Sequence, residues 1–272
     1  MQYKILLFIP MYNCEKQITR VLGQIDKEIA PFLSEVIVVN NRSTDNGEQA
    51  VIDYISSNDM PVPVKLLRND ENYGLGGSHK VAFQYAMDNG MDYVICLHGD
   101  DQGNIRDMIP YIKDGSFKDY DCVLGGRFCK NSSLIGYSRF RIFGNRVFNV
   151  LFSLGSGKRV HDLGAGLNMY RVDTLRSEYY LKFRDNLTFN CYMLLYEVYK
   201  KQKMVFVPIT WREEDQVSNV KMVSQSKTTL KLLLDFIFKK NFFVEGEHRD
   251  KIVDAYTAQI VCNSAKYRED SI

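Results

Sequence analysis

Tyr93-Val94-Ile95-Cys96-Leu97-His98-Gly99-Asp100-Asp101-Gln102 is an apolar run that ends abruptly in two carboxylates and an amide. A buried strand finishing in acidic oxygens belongs to the carboxyl edge of a parallel sheet, where open α/β folds bind their ligands. Hard oxygen donors at such an edge suit Mg²⁺ or Mn²⁺, and either cation suits a diphosphate. The plainer reading is an Asp-rich turn capping a helix that begins near Asn104 or Ile105.

Outward from this stretch the pattern alternates. Strand-like runs at Tyr3–Ile9, Glu35–Asn40, Val62–Leu67, Asp92–Leu97 and Asp121–Leu124 are separated by helical stretches at Glu15–Glu28, Gly47–Ser56, Gly77–Asn89 and Ile105–Lys113. This βαβαβαβ succession predicts an α/β fold with a mainly parallel central sheet flanked by helices. The turns Asn40 to Asp45 and Asn69 to Gly74 carry residues that leave regular structure. The second half is less regular. It has a basic, aromatic segment from Gly136 to Leu154, a strand at Gly166–Arg171, a helix at Leu187–Lys200, a strand at Met204–Pro208, a polar linker at Glu213–Ser226 and two C-terminal helices.

The 272 residues fit one large domain with a small appendage, divided here as 1–225 and 226–272. A net charge of +2 excludes an extended nucleic-acid footprint, and no zinc-finger spacing occurs. The scattered cysteines read as buried thiols of a reducing compartment. With no signal peptide and no apolar run of spanning length, the expectation is a cytoplasmic protein, at most peripheral to a membrane.

Four loops follow predicted strands and converge on one crevice. Tyr12, beside Pro10 and Asn13, offers a ring for a base. Asn40 or Asn41 offers an amide to read its edge, and Gly74-Leu75-Gly76-Gly77 a backbone for close approach to ligand or sheet. Each has a duller reading, as packed ring, turn former or helix start. GxGxxG after the first strand and GxxxxGK[ST] are both absent, which excludes a dinucleotide dehydrogenase and a P-loop NTPase.

Ile9-Pro10-Met11-Tyr12-Asn13 with Glu15, Val38-Val39-Asn40-Asn41-Arg42-Ser43-Thr44-Asp45, the glycine-rich turn and the acidic strand end together resemble a family 2 glycosyltransferase of GT-A fold. The second half resembles dolichyl- or polyprenyl-phosphate sugar synthases, through Gly125-Gly126-Arg127-Phe128, Arg141 to Asn149, Asp162 to Arg171, and Ser226-Lys227. The resemblance implies an inverting, metal-dependent transferase taking a sugar from a nucleoside-diphosphate-sugar donor. Pro10, Tyr12, Asn13, Glu15, Asn40, Asn41, Asn72 and Gly76 would line the nucleotide pocket, and Asp100 with Gln102 would hold Mg²⁺ or Mn²⁺. Arg127 and Arg141 would bind acceptor phosphate, and Asp162 would orient arginines or donor sugar.

Three departures matter. His98 stands where the metal motif has its first acid, so Asp101 is an extra acid and His98 an active-site neighbour. Asn40-Asn41 replaces a frequent Asp-Asp, leaving the base open. The acid that serves hydroxyl acceptors falls on Asn190, which cannot take a proton. A phosphate monoester needs no such base, being largely dianionic near neutrality, but it does need arginine. A polyprenyl phosphate is therefore the expected acceptor. The alternatives are a glycan hydroxyl with Asp162 or Asp101 as base, a nucleotidyltransferase, which would want a basic glycine-rich loop after the first strand, and a sugar-nucleotide-binding pseudoenzyme. The apolar tail Thr228 to Phe243 suits packing on the catalytic domain, a homodimer contact or an in-plane membrane helix. Ile252, Val253, Tyr256, Ile260 and Val261 predict a final docking helix.

Overall fold

The structure, a computed structural model, describes residues 3–215 and 222–265. Its first half winds as expected: β1 (Ile5–Met11), α1 (Glu15–Gly23), β2 (Glu35–Asn40), α2 (Gly47–Ser57), β3 (Val64–Asn69), α3 (Gly74–Asp88), β4 (Tyr93–Leu97), α4 (Ile109–Lys113) and β5 (Cys122–Gly126). Then follow β6 (Ser133–Ile135), α5 (Arg139–Ser156), β7 (Leu167–Arg171), α6 (Val172–Leu175), α7 (Phe189–Tyr199), β8 (Met204–Pro208), β9 (Thr210–Arg212), α8 (Met222–Phe238), α9 (Lys240–Glu245) and β10 (Ala258–Asn263).

One eight-stranded sheet runs in the order β10-β3-β2-β1-β4-β7-β5-β8, and β6 pairs with β9 in a small parallel ribbon. β1, β2, β4 and β5 are buried at every position, as continuous apolar runs covered on both faces should be. Alternation divides them between two cores. Leu7, Ile9 and Met11 pack with Ile18, Leu22 and Val51 from α1 and α2, while Leu6 and Phe8 face Phe83 and Ala86 of α3 and Phe189 of α7. The chain winds from β1 out to β3 and returns to place β4 on β1's other side, so the order reverses between β1 and β4. That reversal opens a crevice outside their carboxyl ends.

Two features depart from the expected pattern. β7 is antiparallel to both β4 and β5, which it separates. The final docking helix does not form: Ala258–Asn263 is strand β10, antiparallel to β3, with Ala258 opposite Asn69 and Ile260 opposite Leu67. The apolar spacing fitted a helix, but β3 presents an edge whose backbone donors and acceptors need partners, and β10 supplies them. The C-terminal part of the chain thus contributes two helices and one strand, the strand joining the sheet that opens the protein. The expected linker Glu213–Ser226 is corrected at its end: residues 216–221 lie outside the described residues, but Met222 to Ser226 already belong to α8, so the division at 225/226 falls inside a helix.

α7 is buried along Phe189 to Glu197, and its one acid, Glu197, is 1% exposed. Burial pushes the Glu197 carboxyl up from 4.5 to about 8, while the Cys122 thiol donates to Oε2 at 3.3 Å. The unfolded chain ionises this group above about pH 4.5 and the folded chain holds its proton to about pH 8, so stability falls across that window as pH rises. Glu197→Gln should flatten this loss, gaining stability relative to the parent at pH 8 but not at pH 4. Urea unfolding at both pH values checks it, and equal pH slopes would refute it.

Candidate active site

The crevice is closed at its base by backbone. Gly99 N–H donates to Pro10 O at 3.1 Å, and a Cβ at position 99 would meet that oxygen at 2.8 Å, so only glycine lets the two strand ends approach this closely. Asp100 follows, half-buried, its Oδ1 accepting from Gln102 N–H at 3.2 Å. Burial pushes its carboxyl up to about 6, against the pull of the Gln102 amide and with the added charge of Asp101. A cation beside it would restore the ionised form, and Asp100 with the Gln102 side-chain oxygen is a hard donor set. The residues therefore fit Mg²⁺ or Mn²⁺.

Asp101 points elsewhere. In the left-handed region at φ 58°, it sends a buried carboxylate to Arg20 Nε at 2.8 Å, Gln24 Nε2 at 3.1 Å and Arg212 Nη2 at 2.9 Å. Three donors, two of them guanidinium groups, hold this extra acid in place. Arg20 and Arg212 were not legible as site residues; the only hint was an arginine within α1, a helix that ends at the crevice.

The β1 and β2 loops are stitched together. Asn13, at φ 50°, accepts Thr44 N–H on Oδ1 at 2.8 Å and donates its backbone N–H to Ser43 Oγ at 3.1 Å. Glu15 N–H donates to Asp45 Oδ2 at 2.9 Å. Tyr12 is left 47% exposed at the rim, an open aromatic face. Both asparagines are held from within: Asn40 donates to Glu48 Oε2 at 2.7 Å and accepts Ser43 N–H at 2.9 Å. Asn41 donates to Asn72 Oδ1 at 2.8 Å and accepts from Asn69 Nδ2 and Tyr73 N–H. Gly76 packs against the Arg184–Asp185 backbone, where a Cβ would meet Arg184 O at 2.6 Å, and that close approach explains its glycine.

On the opposite wall Arg127 and Asp162 form a buried bidentate pair. Nε and Nη2 each donate at 2.7 Å, and the Arg127 backbone N–H adds a third bond to Asp162 Oδ2 at 2.9 Å. Nη1 donates to Tyr137 Oη at 3.2 Å, and the guanidinium lies 5.1 Å from the Trp211 ring. Tyr137 in turn accepts from Asn145 of α5, and its ring lies 4.8 Å from the Arg141 guanidinium, which pairs with Glu213. Trp211, Tyr137 and Glu213 therefore belong to the site though sequence reading did not find them. The lone tryptophan was the available signal. His98 packs against Gly166 and the His79 ring, its imidazole pushed down to about 4 by burial and by the charge of Arg127, and therefore neutral. Asn190 lies buried on the lining of a cavity of about 20 Å³ beneath the Asp162 loop, its Oδ1 without a partner among the described residues. One water fits such a space.

A mainly parallel sheet whose order reverses beside an acidic strand end is the arrangement of a GT-A fold, and solved GT-A structures superpose on it. Mannosyl-3-phosphoglycerate synthase from Rubrobacter xylanophilus superposes with a TM-score of 0.61 at 10% identity, covering 96% of this chain and 88% of that one. Glucosyl-3-phosphoglycerate synthase from Mycobacterium tuberculosis, in complex with Mn²⁺, UDP and glucosyl-3-phosphoglycerate, gives 0.59 at 13% identity over 96% of this chain and 89% of that one. The sequence profile of glycosyl transferase family 2 matches residues 7–177, and the chain belongs to that family. Undecaprenyl-phosphate mannosyltransferase of Micrococcus luteus is 26% identical over 175 residues, 64% of this chain and 69% of that protein. Undecaprenyl-phosphate 4-deoxy-4-formamido-L-arabinose transferase of Pectobacterium atrosepticum is 29% identical over 167 residues, 60% of this chain and 47% of that protein, so the match spans less than half of that relative.

The two adjacent acids should separate cleanly. Asp101→Asn weakens three charged hydrogen bonds worth about 1.5–3 kcal/mol each and should lower Tm by roughly 10 °C or more. Asp100→Asn relieves a buried carboxylate and should leave Tm unchanged or raised while abolishing Mn²⁺-dependent binding of nucleoside diphosphate. Thermal melts paired with calorimetry test both; a mutant Asp100→Asn that binds as the parent does, with or without chelator, would remove Asp100 from the metal site.

Proposed function

We propose that the protein is an inverting, metal-dependent glycosyltransferase that moves a sugar from a nucleoside-diphosphate-sugar to a polyprenyl phosphate. The observation that carries the acceptor assignment is the continuity of α5 with the site. At its start, Arg141 and Asn145 join Tyr137 and Arg127. Farther along, Phe140, Phe143, Val147, Val150 and Leu154 are exposed, next to exposed Leu234, Ile237 and Phe238 of the packed helix α8. A phosphate at the arginines would thus lead directly onto an apolar surface suited to its hydrocarbon chain. Arg139, Arg146 and Lys231 are exposed on the same helices, as a peripheral contact with an anionic lipid surface would require. Among the described residues no helix is long and apolar enough to cross a membrane. The relatives named above carry undecaprenyl phosphate in their names, which supports the same reading.

The donor would lie across the crevice, its base against the Tyr12 ring and its diphosphate toward Asp100 and Gln102. A bound Mg²⁺ or Mn²⁺ would offset charge on the departing nucleoside diphosphate. Arg127 makes three side-chain hydrogen bonds of its possible five, so two N–H groups remain for acceptor oxygens while Asp162 holds the plane of the fork. Arg141 would complete the clamp, aligning the phosphate behind the anomeric carbon. Transfer to a glycan hydroxyl would call for a base. The two acids offered for it, Asp101 and Asp162, are each held by guanidinium groups, and Asn190 is no acid.

Arg141→Lys keeps the charge and loses the fork, so transfer of labelled sugar to short-chain polyprenyl phosphate should fall about 10–100-fold, the loss of one charged hydrogen bond, with nucleotide affinity nearly unchanged. Mild acid should release the sugar from the product. An acid-stable product, or full activity in the variant, would favour the glycan reading.

The double variant Phe140→Ser, Phe143→Ser should sediment less with anionic phospholipid vesicles while keeping the parent's Tm. Equal sedimentation of parent and variant would remove the membrane contact.

A further inference from the structure

Behind the crevice three side chains meet that the transfer reaction does not use. His79 of α3, Cys96 of β4 and His98 just past β4 bring one ligand atom each within 4.8 Å of one another. We propose that they form a second, soft-metal site that takes Zn²⁺ or Cu⁺ and regulates the crevice above it.

The tautomer is already set for this. His79 Nδ1 donates to Leu75 O at 2.9 Å, so its Nε2 carries the lone pair, and that nitrogen lies 3.3 Å from Cys96 Sγ. A backbone carbonyl orienting the far nitrogen of a histidine is the usual support of a metal ligand. His98 Nε2 is buried with no hydrogen-bond partner among the described residues, an orphan that a metal would satisfy. The His98 ring is wedged in place by Gly166, where a Cβ would overlap it at 2.5 Å. Phe8, Phe83 and Phe189 wall His79, with centroids at 5.2, 5.9 and 5.1 Å. One thiol and two imidazoles in an apolar pocket select soft cations, whereas Mg²⁺ and Mn²⁺ want the oxygens of Asp100 and Gln102.

Binding would exchange the Cys96 S–H proton, released to solvent, for a sulfur–metal bond, with both imidazoles neutral throughout. Metal–ligand lengths of about 2.0–2.3 Å require the three atoms to draw closer by up to roughly 1 Å. His98 must move with them, and it lies two residues before Asp100 on the same strand end. Occupancy would therefore displace the Asp100 turn and lower turnover. The regulatory part rests on the transferase reading; binding does not.

The test uses the chelator-stripped full chain. Co²⁺ should give a thiolate-to-metal charge-transfer absorption at one equivalent. Zn²⁺, titrated against a chromophoric chelator, and Cu⁺, titrated without oxygen against a copper(I) chelator, should each displace it. Whichever of the two competes more strongly is the site's preferred ion. Cys96→Ser and His79→Gln should each weaken binding at least about 100-fold, while Cys129→Ser binds as the parent does. X-ray absorption of the zinc-loaded parent, which needs no variant to fold, should show one sulfur and two nitrogen ligands. A missing charge-transfer band, oxygen-only ligation, or full binding in both ligand variants would overturn the site. If the metal binds as described and transfer in Mn²⁺ is unaffected, the regulatory role fails; if no transfer is detected with Mn²⁺ supplied to protein free of zinc and copper either, it is the transferase reading that fails.

Discussion

The buried carboxylate of Asp101 is the point on which the crevice depends. A charge taken out of water must be paired and hydrogen-bonded, and this one gathers Arg20 and Gln24 from the α1 region and Arg212 from β9. Those contacts draw α1, the end of β4 and the β6–β9 ribbon onto one turn, and the bridge between Gly103 and Trp211 lies beside them. The left-handed backbone at Asp101 turns its carboxylate back into the protein and leaves Asp100 beside the crevice. Two neighbouring acids thereby take opposite duties, one structural and one available to a cation.

The opposite wall is organised by a second buried pair, and the two walls communicate through aromatic faces. Trp211 lies next to the Asp101 ligand Arg212 in sequence and against the Arg127 guanidinium in space. Arg127 reaches Tyr137, and Tyr137 reaches α5. Polarity thus grades along one line, from acid at the strand end, through arginines held by Asp162 and Glu213, to the uncovered apolar face of α5. A substrate with a charged head and a hydrocarbon tail matches that gradient; a free sugar would match only its polar half.

A third charge supports the far side of the fold. Lys80 of α3 is fully buried, and its three ammonium N–H groups are shared among Leu181 O, Phe183 O, Asp185 Oδ1 and Tyr256 Oη, all between 2.6 and 3.0 Å. Burial lowers its pKa to about 8, against the pull of Asp185. These bonds pin the 181–185 loop, which is the backbone that Gly74 and Gly76 approach too closely for any Cβ. The glycine-rich turn at the crevice is thus fixed from behind.

The sequence by itself determined the elements of the first half and the faces they bury. β2 spans Glu35–Asn40, the expected bounds, and the alternation of β1 through β4 with α1 through α3 dictated a parallel arrangement with a crevice at its carboxyl edge. Tyr12, Asp100 and Arg127 could be placed at the sheet's edge from the sequence because each follows a strand. Only the tertiary structure decided which partners those residues take. β7 inserting antiparallel between β4 and β5, β10 closing the edge at β3, and Arg212 reaching Asp101 are choices between segments far apart in the chain. The run from Ala258 to Asn263 could pack as helix or strand by its own pattern, and the unpaired edge of β3 settled it. Periodicity records which side of a segment is apolar; it holds no record of which distant donor will meet a given acceptor, and that pairing is what makes Asp101 a tether and leaves Asp100 outside it.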